Sequence, residues 1–280
     1  MPFLQIVILA IVQGFAELLP VSSSAHVIVA EKLMGLDPTT PEMTLLLVML
    51  HTGTMFAVIV YFWSDWVEHY FKSSFKGWAF AKQLILATVV TGMVGLGLKV
   101  FIEKVILRGT DHAEVEMLFG NLKLVSISLA CAGLLILWAA LREKHSNNGQ
   151  GLGPKESIWM GLVQGLCLPF RGFSRSGATI STGILLKISK AKAEEFSFAL
   201  AVLLTPPVVL QEIHRLLKAH AAAPTDNLSA LFLPGLIGMG LSFAAGLLAL
   251  RWLSSWLSHG RWKYFGLYCL AFSVFVWLFH

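Results

Sequence analysis

Long apolar runs constrain this chain more than any other feature of its sequence. A helix needs about 18 or more apolar residues to cross roughly 30 Å of hydrocarbon, and six stretches reach that length. Because 56% of the 280 residues are hydrophobic and only 13% are charged, one soluble core could not bury the apolar side chains. We therefore predict an all-α polytopic membrane protein with about six full transmembrane helices, at residues 43–62, 83–101, 118–141, 196–213, 229–250 and 262–279.

Two further apolar stretches, 3–19 and 157–189, are interrupted by proline and polar residues. Each precedes three of the predicted spans. The run VQGF at 12–15 matches VQGL at 163–166, and a serine-rich break follows each run. If each interrupted stretch enters and leaves the membrane on one side, the halves have opposite orientations. We therefore predict an inverted repeat with two re-entrant, broken helix segments, divided into a first repeat, a linker and a second repeat at 1–145, 146–156 and 157–280.

The positive charge of the chain lies mostly near the ends of the apolar segments. The formal net charge is +5, which suits anionic lipid headgroups better than nucleic acid. The loops 63–82, 142–156 and 251–263 hold nine Lys and Arg residues, against five in 102–123 and 214–228. The positive-inside rule then places the first set in the cytoplasm and both termini outside. We expect contact with bilayer lipids and no nucleic-acid partner, and a homodimer is left open.

The first interrupted stretch reads VQGFAELLPVSSSAH. Gln13 and Glu17 are four residues apart, so a helix places them on one face, and Pro20 ends that helix. The serines at 22–24 and His26 follow where a new helix would begin with free N–H groups, which favours binding of an anion. We expect Ser22 and Ser24 to contact that anion. An ionisable residue inside a membrane segment is costly, which makes Glu17 a candidate functional residue.

The second interrupted stretch reads LCLPFRGFSRSGAT and breaks at Pro169. Its charge is Arg175, whose fork of N–H donors matches phosphate oxygens. Gly172 and Gly177 would let the backbone approach a ligand closely. If the halves face each other, one supplies acid, nucleophile and base and the other holds the anion, and we predict a phosphoryl-transfer site. The hydroxyl groups beside Arg175 that we expect to bind the phosphate are Ser174, Ser176 and Thr179.

Other interpretations of these residues exist. Serine-rich breaks often only satisfy backbone groups freed inside a membrane helix. A transporter or lipid flippase uses similar broken helices at the midplane. An intramembrane serine protease would use Ser and His, but it would leave Arg175 without a role. Polar residues in matching breaks of both halves favour a functional site. His51 in mid-span could approach that site, but packing or helix–helix hydrogen bonding is the role we expect for it.

At these residues the sequence resembles the undecaprenyl-diphosphate phosphatase family, which is known for bacitracin resistance. The first family motif corresponds to QGFAE at 13–17 with PVSSSAH at 20–26, and the second to RGFSRSGAT at 171–179. The resemblance spans nearly the whole chain. It implies hydrolysis of undecaprenyl diphosphate to the monophosphate, which returns the carrier lipid for peptidoglycan and other envelope polymers. It also implies a divalent metal, Mg²⁺ or Ca²⁺, and an inner-membrane enzyme whose site faces outward.

The resemblance also assigns roles to individual residues. It implies that Gln13 and Glu17 organise metal or water and that Ser23 and His26 form the reaction centre, with the diphosphate on Ser174, Arg175 and Thr179. Two residues depart from the family pattern. Arg171 stands in place of a proline and adds a second cation near the diphosphate. Gln13 stands in place of a Glu that many members carry, and this removes one negative charge from the expected metal site.

The catalytic nucleophile has more than one candidate at this point. Ser23 could attack the terminal phosphorus while His26 takes its proton, or His26 could attack directly or activate water. Glu17 would hold the metal or orient the base, and Arg175 would neutralise the diphosphate. The sequence does not separate these mechanisms.

Overall fold

Helices form nearly all of the structure that a computed structural model of the chain describes. The described residues are 2–37, 40–72, 74–108, 118, 120–143, 151–222 and 228–279. A π-helical turn continues α3 over Val67–Phe71 and α4 over Ile102–Ile106. The helices run in the order α1 (Phe3–Leu18), α2 (Ser23–Leu33), α3 (Pro41–Trp66), α4 (Ser74–Phe101), α5 (Leu122–Glu143), α6 (Pro154–Cys167), α7 (Arg175–Leu185), α8 (Lys190–Ala222), α9 (Leu228–Ser258) and α10 (Trp262–Leu278).

Both interrupted stretches are broken helices, as predicted. α1 ends two residues before Pro20, and α6 ends two residues before Pro169. The helices that follow are capped by serine hydroxyls: Ser22 accepts the Ala25 amide at 3.4 Å, and Ser174 accepts the Gly177 amide at 3.2 Å. Serine is a favoured N-cap because its oxygen satisfies an amide that has no partner within the helix. α2 and α7 thus each begin directly after one of the two polar breaks.

Within the described part of the chain, five helices are long and apolar enough to cross a membrane, which agrees with a polytopic membrane protein. Two of them extend well beyond the predicted spans, since α8 runs for 33 residues and α9 for 31. The sixth predicted span, 262–279, forms α10. This helix has 17 residues, which gives about 26 Å at 1.5 Å per residue. α10 therefore lies at the short end of the range for a transmembrane helix, beside the five long ones.

Helices from the two predicted halves of the chain pack closely against each other. α9 packs on α1 and α3, α4 packs on α6, and α5 packs on α10. Glycines allow several of these contacts: a methyl group on Gly53 would overlap the Met239 carbonyl, and one on Gly161 would overlap the Ala87 carbonyl. Because these contacts join residues before 144 to residues after 153, the two predicted halves share one helical bundle.

The short–short–long order of α1, α2 and α3 recurs in α6, α7 and α8. The division into repeats at 1–145 and 157–280 and their opposite orientation stay predictions. Of the predicted linker, residues 146–150 lie outside the described residues. Residues 151–153 are not helical, and 154–156 open α6.

Candidate active site

The centre of the candidate site is the carboxylate of Glu17 at the end of α1. The amide nitrogen of Gln13 donates to Glu17 Oε2 at 3.1 Å, so the two side chains share one helix face, as their spacing predicts. The Glu17 side chain is only 18% exposed. A buried carboxylate is costly unless it is paired and hydrogen-bonded, and three more polar side chains approach it from other elements.

Arg175 pairs with Glu17 and joins the two breaks. Its Nη2 lies 3.0 Å from Glu17 Oε1, and the Arg175 side chain is 19% exposed. The other terminal nitrogen, Nη1, is buried and has no hydrogen-bond partner among the described residues. A buried donor without a partner costs free energy, so this nitrogen is suited to receive an oxygen of an anionic ligand. The arrangement agrees with the predicted role of Arg175.

Ser23, the first residue of α2, faces Glu17. Its hydroxyl donates to Glu17 Oε2 over 2.6 Å, a length typical of hydrogen bonds to a charged oxygen. The proton of Ser23 thus points at Glu17 and the oxygen lone pairs point away from it. His26 is one candidate base for Ser23 from the sequence, whereas the structure places the carboxylate of Glu17 at the serine proton.

His26 lies on α2 one turn after Ser23, and both of its ring nitrogens have protein partners. Nδ1 lies 2.8 Å from the carbonyl oxygen of Ser22, and Nε2 lies 2.7 Å from the hydroxyl of Tyr268. A carbonyl only accepts, so Nδ1 carries a proton. His26 can therefore exchange a proton only through Nε2.

Several serines named as phosphate ligands instead connect the two breaks to each other. Ser22 donates to the carbonyl of Arg171 at 2.8 Å, and Ser176 donates to the carbonyl of Leu19 at 3.2 Å. Both hydroxyls are buried. The backbone of Ser22 has φ of 67°, a left-handed conformation that is uncommon outside glycine. These contacts hold the second break against the first, and binding of the diphosphate by Ser22 and Ser176 stays a prediction.

The remaining predicted ligands of the diphosphate lie around the same junction. Ser174 caps α7, and Thr179 donates to the carbonyl of Arg175 at 2.8 Å. Ser24 is partly exposed. Arg171 is exposed, and its charge acts on Glu31 of α2. The roles of these four side chains toward the diphosphate also stay predictions.

The two glycines of the second break make room for protein rather than for a ligand. A methyl group on Gly172 would overlap the carbonyl oxygen of Val125 in α5. One on Gly177 would lie 2.9 Å from the side chain of Ile136. The expectation that these glycines admit a ligand is therefore wrong: they let the break and α7 lie directly against α5.

His51 also lies at the site. The sequence favours packing or helix–helix hydrogen bonding for this residue, and its Nδ1 does bond the amide nitrogen of Gln13 at 2.9 Å. That contact joins α3 to α1, but it also brings Nδ1 within 3.6 Å of Glu17 Oε2. The signal for this role was a histidine in mid-span, where ionisable residues are costly.

The site is closed around its polar centre. The cavity beside Glu17 and Arg175 measures about 10 Å³, and Thr54, Met55 and Val202 also line it. Such a volume suits about one water molecule. A diphosphate could therefore bind only after side chains or helices in this region move apart.

The fold and the site define an all-helical integral membrane protein in which two broken helices join Glu, Arg and Ser side chains into one buried polar centre. The family model described as bacitracin resistance protein BacA matches residues 6–275. The chain belongs to this family.

Curated relatives match nearly full length. The undecaprenyl-diphosphatase 2 of Acinetobacter baylyi is 58% identical over 278 residues, covering 98% of this chain and 96% of the relative. The undecaprenyl-diphosphatase 2 of Burkholderia orbicola is 33% identical and covers 96% and 94%. The undecaprenyl-diphosphatase of Renibacterium salmoninarum is 32% identical and covers 99% and 96%.

Proposed function

We propose that this protein hydrolyses undecaprenyl diphosphate to undecaprenyl phosphate and inorganic phosphate. In that role it recycles the carrier lipid for peptidoglycan and other envelope polymers and confers resistance to bacitracin. The names of the relatives support the reaction. The observation that carries it is the buried Nη1 of Arg175, a donor without a partner among the described residues, beside a serine whose proton points at a carboxylate.

The hydrolysis takes two steps. Ser23 Oγ attacks the terminal phosphorus, its proton passes to Glu17 Oε2, and the bond from phosphorus to the bridging oxygen breaks to release undecaprenyl phosphate. Water then attacks the phosphoserine, and inorganic phosphate leaves as Ser23 regains a proton. Arg175 stabilises the charge on the transferring phosphoryl group through Nη1, in a site where water is scarce.

Ser23 is a better nucleophile candidate than His26 in this geometry. His26 could attack only through Nε2, and that nitrogen is bonded to Tyr268. Ser23 has its proton acceptor at 2.6 Å, while its lone pairs remain available. His26 Nε2 instead suits the second step, in which a base takes a proton from the attacking water.

A divalent cation, Mg²⁺ or Ca²⁺, would find one protein carboxylate at this site. Both oxygens of Glu17 already accept hydrogen bonds, and Gln13 turns its amide nitrogen toward Glu17. Nowhere in the described parts of the chain do three His, Cys, Asp or Glu side chains converge as metal ligands. Mg²⁺ is commonly held by one or two carboxylates together with substrate phosphates. The residues would fit a cation that arrives with the diphosphate if the Gln13 amide turned its oxygen toward Glu17. Glu17 and Gln13 would then hold the cation, which would neutralise phosphate charge.

We also place the protein in the bacterial inner membrane with its site facing outward. The excess of Lys and Arg in the loops 63–82, 142–156 and 251–263 supports this orientation, because such loops stay in the cytoplasm. The undecaprenyl diphosphate that needs recycling would then enter from the outer leaflet.

Phosphate release by the purified protein in lipid nanodiscs tests the proposal. With undecaprenyl diphosphate as substrate, Ser23→Ala should lose activity by on the order of 1000-fold or more, as when other nucleophilic serines are removed. Ser258→Ala, at an exposed position at the end of α9, is the control and should stay within about twofold. Rapid quenching of the wild type with substrate labelled at the terminal phosphate should trap the label on Ser23. Lipid movement across vesicles without phosphate release would favour the transporter alternative and refute the hydrolase.

A further inference from the structure

His26 is held in one orientation by residues of α10 that no sequence motif singled out. Its ring stacks on Phe272, with centroids 4.0 Å apart and planes at 15°. Phe272 in turn stacks on Phe275, and Phe275 on Phe279, at 5.6 and 5.8 Å. An aromatic column on one face of α10 thus supports the imidazole from the side. This column fixes the plane of the ring, but it leaves open which way its nitrogens point.

The two hydrogen bonds of His26 fix the direction of the nitrogens. Since Nδ1 donates to the Ser22 carbonyl, a neutral imidazole has its lone pair on Nε2. The hydroxyl of Tyr268 lies 2.7 Å from Nε2 and donates to it. Tyr268 is one helical turn before Phe272, so α10 supplies both the stacking surface and the hydrogen bond. This ring can then neither flip nor change its tautomer without losing a contact.

We propose that Tyr268 is the positioning residue for His26, holding the imidazole in one orientation with Nε2 unprotonated. The kinetic consequence of this inference rests on the proposed function. Tyr268 is 45% exposed, so its hydroxyl can turn away from Nε2 without unpacking the helix. When it turns, Nε2 is free to take the proton of the water that hydrolyses the phosphoserine. When it returns, it restores the resting hydrogen bond.

Tyr268→Phe removes one oxygen atom and keeps the aromatic ring, so it separates positioning from packing. The expected result is a fall in kcat of about 10-fold or more, because a misaligned proton acceptor loses part of the roughly 10²–10⁴-fold that a positioned one contributes. KM should change less than about twofold, because Tyr268 acts through His26 and not on the diphosphate. Tyr264→Phe is the matched control, since Tyr264 is exposed on the same helix and packs against Trp256. It should retain wild-type kcat and KM.

A spectroscopic measurement tests the same contact without relying on activity. In protein labelled with ¹⁵N-histidine, the ring signals of His26 can be assigned by their loss in His26→Gln. Wild type should show protonated Nδ1 and unprotonated, hydrogen-bonded Nε2, and Tyr268→Phe should shift the Nε2 signal while Tyr264→Phe leaves it in place.

The possible outcomes separate the two proposals. An unchanged Nε2 signal in Tyr268→Phe overturns the positioning role, whatever the activity. A kcat equal to wild type in Tyr268→Phe also overturns the positioning role. A loss of activity that is explained by a lower unfolding temperature of the variant overturns it as well. Absence of phosphate release by the wild type would instead refute the hydrolase, while the Nε2 signal would still report on the Tyr268 contact.

Discussion

At the scale of single residues, Arg175 uses its two terminal nitrogens differently. Nη2 is fixed by Glu17 at 3.0 Å, and Nη1 is buried without a partner in the described part of the chain. Arg175→Lys keeps the charge but supplies one nitrogen for both tasks. We expect kcat to fall by about 100-fold or more, as when one donor to a developing charge is lost. Arg142→Lys, at an exposed position on α5, is the control. Near-normal phosphate release by Arg175→Lys would contradict the assignment of Arg175 to the phosphate.

Gln13 links Glu17 to His51 by donating to both. Gln13→Glu would put a second carboxylate beside Glu17, and two like charges in contact need a cation between them. We expect this variant to lose activity at low Mg²⁺ and to recover as Mg²⁺ is raised, whereas Gln13→Ala stays impaired at every concentration. Phosphate release against Mg²⁺ concentration at fixed pH is the measurement. If Gln13→Ala matched wild type, the link between Glu17 and His51 would have no part in catalysis.

At the scale of elements, the site depends on how α2 is held against the second break. Glu31 on α2 is buried and its Oε1 has no hydrogen-bond partner among the described residues, while the charge of Arg171 acts on it from the break. Removing only the charge opposite a buried carboxylate destabilises a protein more than removing both charges does. We therefore expect a structural role for Arg171 besides the predicted one toward the diphosphate.

A double-mutant cycle measures this element contact. Arg171→Gln should lower the unfolding temperature in detergent. Arg171→Gln combined with Glu31→Gln should be more stable than Arg171→Gln alone, by roughly 1 kcal/mol, since the exposed Arg171 weakens the pair through solvent. Additive effects of the two substitutions would show that the charges do not couple. A raised KM in Arg171→Gln with unchanged unfolding temperature would favour the diphosphate role instead.

At the scale of the whole molecule, the bundle depends on close contacts between helices from opposite ends of the chain. Gly53 of α3 lies against the backbone of Met239 in α9, where a methyl group has no room. We expect Gly53→Ala to lower stability by about 1–3 kcal/mol, the usual cost of overpacking. Gly97→Ala is the matched control because a methyl group there meets no atom within 4 Å, and alanine favours helix. Thermal unfolding in detergent distinguishes the two. Equal melting temperatures would mean that α3 and α9 can shift apart without loss.

Much of the architecture could be predicted from the sequence because it depends on local chemistry. The lengths of the apolar runs predict membrane-spanning helices, and Pro20 and Pro169 predict the two breaks. The shared face of Gln13 and Glu17 follows from the period of one helix. The serine caps of α2 and α7 are local too, since a cap depends only on residues a few positions away, but the sequence pattern predicts these serines only as ligands of an anion.

The partners of Glu17 and His26 could be decided only by the tertiary structure. Arg175 is 158 positions from Glu17, and Tyr268 is 242 positions from His26. Helical periodicity gives the face on which a side chain lies, but not the rotation and depth at which another helix packs against that face. Those depend on close contacts such as Gly172 against α5. For this reason the sequence predicted the polar residues of the site, whereas the packing of α2, α3, α7 and α10 decided that Glu17 faces Ser23 and that His26 faces Tyr268.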